Sequence, residues 1–195
     1  MKTSRATVEA NREKLLAAAS EGFRRKGFDG FKVADIMHEA GLTHGGFATY
    51  FASKDELAAA ACDASLKRQA QRLRDRNESL DAYIDRYLST KNRDQPGQAC
   101  MFPSLAAEAS RQSEPVRRVF TEGLKDYLDA LDDLAEGEGI ALLSTLVGAM
   151  VLARVSDDEA LSDRILVEAA KALKRNNSIA DQRSLHTNGY PQNQD

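Results

Sequence analysis

Histidine and cysteine are the side chains most able to do nucleophilic, acid–base or metal chemistry, and this chain of 195 residues has three and two of them. His38, His44 and His186 are scattered and share no ligand spacing, so they do not compose a metal site. The run His44-Gly45-Gly46-Phe47 matches the oxyanion-hole segment of some lipases and esterases, but that chemistry also needs G-x-S-x-G on a strand–turn–helix. The sequence has no such run, no H-E-x-x-H, no GxGxxG and no P-loop. The expectation is a protein that is not an enzyme and uses no metal or cofactor.

The same run suits recognition better than catalysis. Thr43, His44, Gly45, Gly46 and Thr49 are small or polar, so a helix carrying them can approach a groove floor closely. Lys32, Tyr50 and Lys54 add donors for phosphate oxygens. Two adjacent glycines cost a helix roughly 1 kcal/mol each against alanine, which close approach to another surface would explain. The plainer reading is that Gly45 and Gly46 belong to an ordinary loop.

Cys100 precedes a helix start, where a thiol pKa is lowered; reaction with an effector and simple apolar packing are the two readings of it. Cys62 falls mid-helix and reads as core. Tyr83, Tyr87, Cys100, Phe102, Leu105, Phe120 and Tyr127 could line an effector pocket or only pack the interior. These types suggest an apolar or mixed ligand.

The elements that must position these residues are helical throughout. Val33, Ile36, Met37 and Ala40 fall on one face of a short helix. Gly41 stops it, and Thr43 can cap a second helix with Phe47, Tyr50 and Phe51 inward. Two short helices around a Gly-containing turn make a helix-turn-helix, whose second helix can enter a DNA major groove. A first helix from Thr7 to Lys26, with Leu15, Leu16, Ala19 and Phe23 inside and Gly27 at its end, closes a three-helix head. Arg24, Arg25 and Lys26 then complement its dipole.

Ser53 with Glu56 forms a capping box for a linking helix. Leu80 to Leu88 gives a fifth helix, 91–99 a loop, and Ser104–Ser110 a short helix after Pro103. A seventh starts at Ser113-Glu114-Pro115. Ile140–Val155 is apolar nearly all round and must be covered on most sides; Ser156 with Glu159 caps the helix after it. Leu142, Thr145, Leu146, Ala149, Met150, Leu161, Ile165 and Ala169 are expected to pack against a second copy, or else only to complete the monomer. From Asn176 the chain is polar and aperiodic, and disorder is expected.

The stretch Val33–Leu57 resembles the N-terminal domain of the TetR family of bacterial transcriptional repressors. The matching residues are Gly27-Phe28, Val33, Asp35-Ile36, Ala40-Gly41-Leu42-Thr43, Gly45, Phe47, Tyr50-Phe51, Ser53-Lys54 and Leu57, without a gap over about 30 residues. Phe31-Lys32 stand where the family has small hydroxyl residues, and Ala48 where it has a tyrosine that contacts phosphate. CMFPSLAAEASR resembles the equivalent segment of a branch that also carries Thr-His-Gly-Gly-Phe. The resemblance implies an all-α homodimer with a helix-turn-helix DNA-binding domain (1–52), a six-helix regulatory and dimerisation domain (53–175) and a tail (176–195). It also implies a palindromic double-stranded operator, a phosphate contact from Lys54, and release by an unknown small-molecule effector. In some branches a cysteine senses electrophiles. A helical protein-interaction module is the remote alternative.

Charge agrees with one DNA-facing end. Nine Lys and Arg stand against six Asp and Glu through Lys54, and eighteen against twenty-four after it, within a net charge of −3. A basic front attracts phosphates while an acidic body repels them. No apolar run approaches the roughly 20 residues that span a bilayer. The N-terminus has no apolar h-region and two cysteines make no disulfide framework. A cytoplasmic location with no membrane partner is expected.

Overall fold

The structure, a computed structural model, describes residues 5–187, with side chains up to 175. The described residues form α1 (Arg5–Gly30), α2 (Val33–Glu39), a 3₁₀ helix (His44–Thr49), α3 (Lys54–Asp75), α4 (Leu80–Tyr87), α5 (Thr90–Asp94), α6 (Phe102–Ala109), α7 (Glu114–Asp132), α8 (Gly139–Val155) and α9 (Glu159–Thr187). The all-α expectation holds for them.

The head forms because α1 and α2 bury complementary faces. Leu15, Ala19 and Phe23 of α1 meet Ile36 and Met37 of α2 and Phe51, all essentially without exposure. The helical course of α1 breaks at Gly27, whose φ of 74° L side chains rarely adopt and whose Cβ would lie 2.7 Å from the Glu108 carboxylate. Gly41, at φ 71°, ends α2 as its sequence implies. Phe31 lies against Gly22, where a Cβ would stand 1.9 Å from its ring. The missing side chain at 22 is thus what lets an aromatic occupy position 31.

Head and body share one continuous core. The long α3 links them, packing on α1 at one end and α7 along its length. Gly123 of α7 permits the second contact, since a Cβ there would come within 2.6 Å of Leu66. The start of α3 is capped by Ser53 Oγ, which accepts from the Glu56 amide at 3.1 Å. Glu56 reaches back to the Ala52 amide at 2.7 Å, one residue before the usual capping-box position.

Three sequence expectations need correction here. The stretch 91–99 is not all loop: Thr90–Asp94 is a helix, capped by Ser89 Oγ accepting from the Asn92 amide at 3.2 Å and steadied by Asn92 Nδ2 donating to the Tyr87 carbonyl at 2.8 Å. Helix α9 is capped by Asp158, whose carboxylate accepts from the Leu161 amide at 3.0 Å, rather than by Ser156 with Glu159. Its backbone then stays helical to Thr187, past the boundary expected at Asn176; the remaining tail lies outside the described residues.

Candidate nucleic-acid interface

After α2 the chain turns at Gly41 and enters His44–Thr49. This second element of the helix-turn-helix is 3₁₀ and not the α-helix expected. Its bonds run i to i+3, from the Gly46 amide to the Thr43 carbonyl at 3.1 Å and from the Tyr50 amide to the Phe47 carbonyl at 2.9 Å. A glycine pair has too little helix propensity to fix α geometry over so short a span. Thr43 occupies the N-cap position in extended backbone, but its hydroxyl caps nothing.

The element presents Thr43, His44, Gly45, Ala48 and Thr49 outward. Nothing lies within 4 Å of where a Gly45 Cβ would stand. Gly46, expected on the outer face, is half-buried; a Cβ there would meet Thr43, Met37 and Tyr50 at ordinary distances of 3.8–3.9 Å. Ala48 was not among the expected contact residues. Packing within the chain requires glycine at neither 45 nor 46. Phe51 is buried while Phe47 and Tyr50 are half-buried, and the Phe47 and Phe51 ring centroids lie 6.2 Å apart.

Tyr50 is fixed from behind by α1. Its hydroxyl accepts from Asn11 Nδ2 at 3.1 Å, and its carbonyl accepts from Arg12 Nη1 at 3.0 Å. The Arg12 guanidinium also lies 4.2 Å over the Phe51 ring. With Asn11 as donor, the Tyr50 hydroxyl proton remains free to be donated. Lys54 is placed differently from the phosphate-facing expectation: its ammonium donates to the Phe28 carbonyl at 2.5 Å and lies 6.0 Å over the Phe23 ring. That bond satisfies a carbonyl freed where α1 breaks at Gly27, and the other ammonium protons remain. Lys32 is exposed at the start of α2, with its backbone amide donating to Asp35 at 3.1 Å. Arg25 is ion-paired to Glu39 at 2.6 Å.

In the body, the seven expected pocket residues do not share one cavity. Tyr87, Cys100 and Tyr127 line a cleft of about 130 Å³ with Arg72, Arg76 and Arg86. Phe102, Leu105, Phe120 and Tyr83 are core residues outside it. The rings form a chain from head to body: Phe28 to Phe120 and Phe120 to Phe102 at 6.4 Å, then Phe102 to Tyr127 at 5.6 Å. The Tyr127 and Tyr83 hydroxyls are 3.0 Å apart. Burial pushes the Cys100 thiol up, against smaller opposing pulls from the Tyr87 hydroxyl and the Phe102 backbone. Desolvation outweighs the helix-end effect, which of the two readings of Cys100 favours apolar packing.

The expected dimer residues also divide. Leu142, Leu146, Ala149 and Met150 face the monomer's own core. The outer face of α8 carries Ile140 (68% exposed), Leu152 (57%) and Val155 (77%). Ser144, Thr145 and Gly148 lie between them, and Leu161 and Val167 of α9 are exposed beside that face. An all-apolar helix gives no phase to its pattern, so the sequence does not separate the side buried in the monomer from the exposed one.

Residues 15–61 match the family model described as bacterial regulatory proteins, tetR family. No curated protein was found to match the chain. Solved structures do. Escherichia coli NemR in its reduced form is 22% identical, with a TM-score of 0.69 over 85% of this chain and 96% of that one. A TetR-family regulator from Agrobacterium tumefaciens is 22% identical, with a TM-score of 0.66 over 85% and 98%. FadR from Bacillus subtilis, solved in complex with stearoyl-CoA, is 17% identical, with a TM-score of 0.52 over 81% and 97%.

Proposed function

We propose, from the match of residues 15–61 to the model of the tetR family of bacterial regulatory proteins, that the chain is a cytoplasmic repressor of that family, dimeric on a palindromic operator and released by a small-molecule effector. The observation that carries the reading is the outer face of His44–Thr49. It is small and polar and open at Gly45, and Tyr50 directly after it is held from behind by Asn11 and Arg12. A side chain held that way loses little freedom on binding, which is what a reading element needs.

In this reading two heads insert their Thr43–Tyr50 segments into successive major grooves, with half-sites about 34–36 Å apart or a multiple of that. Thr43, His44, Gly45, Ala48 and Thr49 face bases or backbone. Tyr50, Lys54 and Lys32 donate to phosphates, Lys54 with the protons that Phe28 leaves. The apolar outer face of α8 and its neighbours on α9 are the dimer contact, since so many exposed aliphatic side chains on adjacent helices mark an interaction surface. The effector binds in the body and acts through its differential affinity for two arrangements of the heads.

A gel shift with the DNA flanking the protein's own gene tests the reading. A shift that survives competitor DNA supports it. An enzyme or a protein-interaction module would give none.

A further inference from the structure

The cleft between α3, α4 and the segment leading into α6 carries a strong charge bias. Arg72, Arg76 and Arg86 line it and no Asp or Glu does, although the body around it is acidic. Arg86 is paired with Glu78 at 2.5 Å. Arg72 and Arg76 enter no ion pair among the described residues.

Two further guanidiniums stand behind the wall. Arg24 donates to Gly97, Ser20 and Ser65, and Arg154 to the carbonyls of Asn92 and Arg93 and to the Ser104 hydroxyl. All of these acceptors are neutral. In the wall itself the Tyr87 hydroxyl is buried, on a residue 2% exposed, with no well-formed hydrogen bond and only the weak Cys100 thiol beside it. Such a group costs about 1–3 kcal/mol when left unmet. The volume of about 130 Å³ is close to that of an engineered cavity of roughly 150 Å³ that holds benzene.

We infer that this cleft binds a small organic carboxylate, a single-ring or similar apolar body whose anionic end is held by Arg72 and Arg76 and whose far end meets the Tyr87 hydroxyl. Guanidinium forks match carboxylate geometry in pairs. A neutral ligand would gain nothing from the exposed Arg72 and Arg76 guanidiniums, and a cation would be repelled. The inference rests on the reading of the body as an effector domain and gives that effector a chemical class.

Calorimetry on the full chain without DNA, in low-chloride buffer, tests it with benzoate and phenylacetate against benzamide and phenylacetamide. The carboxylates bind and the matched amides bind about tenfold or more weakly. In the double variant Arg72→Gln/Arg76→Gln, with its circular dichroism unchanged, carboxylate affinity falls about ten- to hundredfold. In Tyr87→Phe, which keeps the ring, it falls less. Amides binding as tightly as acids, the double variant retaining the acids, or no heat from any of the four at millimolar concentration would each overturn the inference. Because no DNA is present, a failed gel shift leaves this result standing, and a failed titration leaves operator binding standing.

Discussion

Arg24 on α1 grips the backbone carbonyl of Gly97 with two guanidinium nitrogens, Nε at 2.8 Å and Nη2. Its remaining nitrogen, Nη1, donates to Ser20 at 2.8 Å and to Ser65 at 2.9 Å. Gly97 sits so tightly on α1 that a Cβ would come within 2.8 Å of Glu21. The next residues, Gln98 to Cys100, line the cleft in the body. One side chain thus ties α1 of the head to the segment that lines the cleft in the body.

Arg24→Gln removes the fork and leaves the Gly97 carbonyl without its charged donor. The expected loss of stability is about 1–3 kcal/mol, read from urea unfolding of the full chain. A variant as stable as the parent would show that the segment 95–99 is held by packing alone.

Lys54 divides its ammonium between a structural bond and a proposed phosphate. Lys54→Ala should cost about 1 kcal/mol of stability through the Phe28 carbonyl. It should also lower the salt slope of DNA binding by about one unit on all sequences. An unchanged slope would leave Lys54 a purely structural residue.

The outer face of α8 predicts how the proposed dimer comes apart. Leu152→Glu, at 57% exposure, places a charge on the contact without disturbing the core. Light scattering should then give the mass of one chain where the parent gives two, with helicity unchanged. A parent that already runs as one chain at working concentration removes the dimer from the account.

The thiols give a pH prediction. Burial pushes Cys62 from its ordinary 9.0 up to about 12, and pushes Cys100 up as well. The fold favours the neutral thiol, so the stabilisation due to Cys62 is complete below about pH 9 and is lost as pH rises toward about 12. Cys62→Ala should flatten the fall in stability across that window, measured by thermal unfolding. At pH 8 iodoacetamide should modify both thiols far more slowly in the folded chain than in urea. Fast modification of folded Cys100 would revive an electrophile-sensing repressor.

What the sequence made legible was local. Gly27, Gly41, Ser53 with Glu56 and Pro103 mark ends and starts through backbone conformation and capping, which depend on neighbours in sequence. The face of α2 could be read because its apolar residues have a period. What escaped depends on distant partners or on patterns without phase. The bond from Lys54 to Phe28 spans the head. The inner and outer sides of α8 are equally apolar, and α5 is too short to show a period. Phe31 departs from the family pattern, and Gly22 beneath it makes the room.

The open position at Gly45 gives the most direct test of DNA reading. Gly45→Leu meets no atom of the chain within 4 Å of its Cβ, so the variant should fold with stability within about 1 kcal/mol of the parent. Fluorescence anisotropy of parent and variant on one operator duplex is the measurement. A DNA-reading role for this face requires a well-folded variant whose affinity falls more than about tenfold; a variant that binds the operator as tightly as the parent would rule that role out.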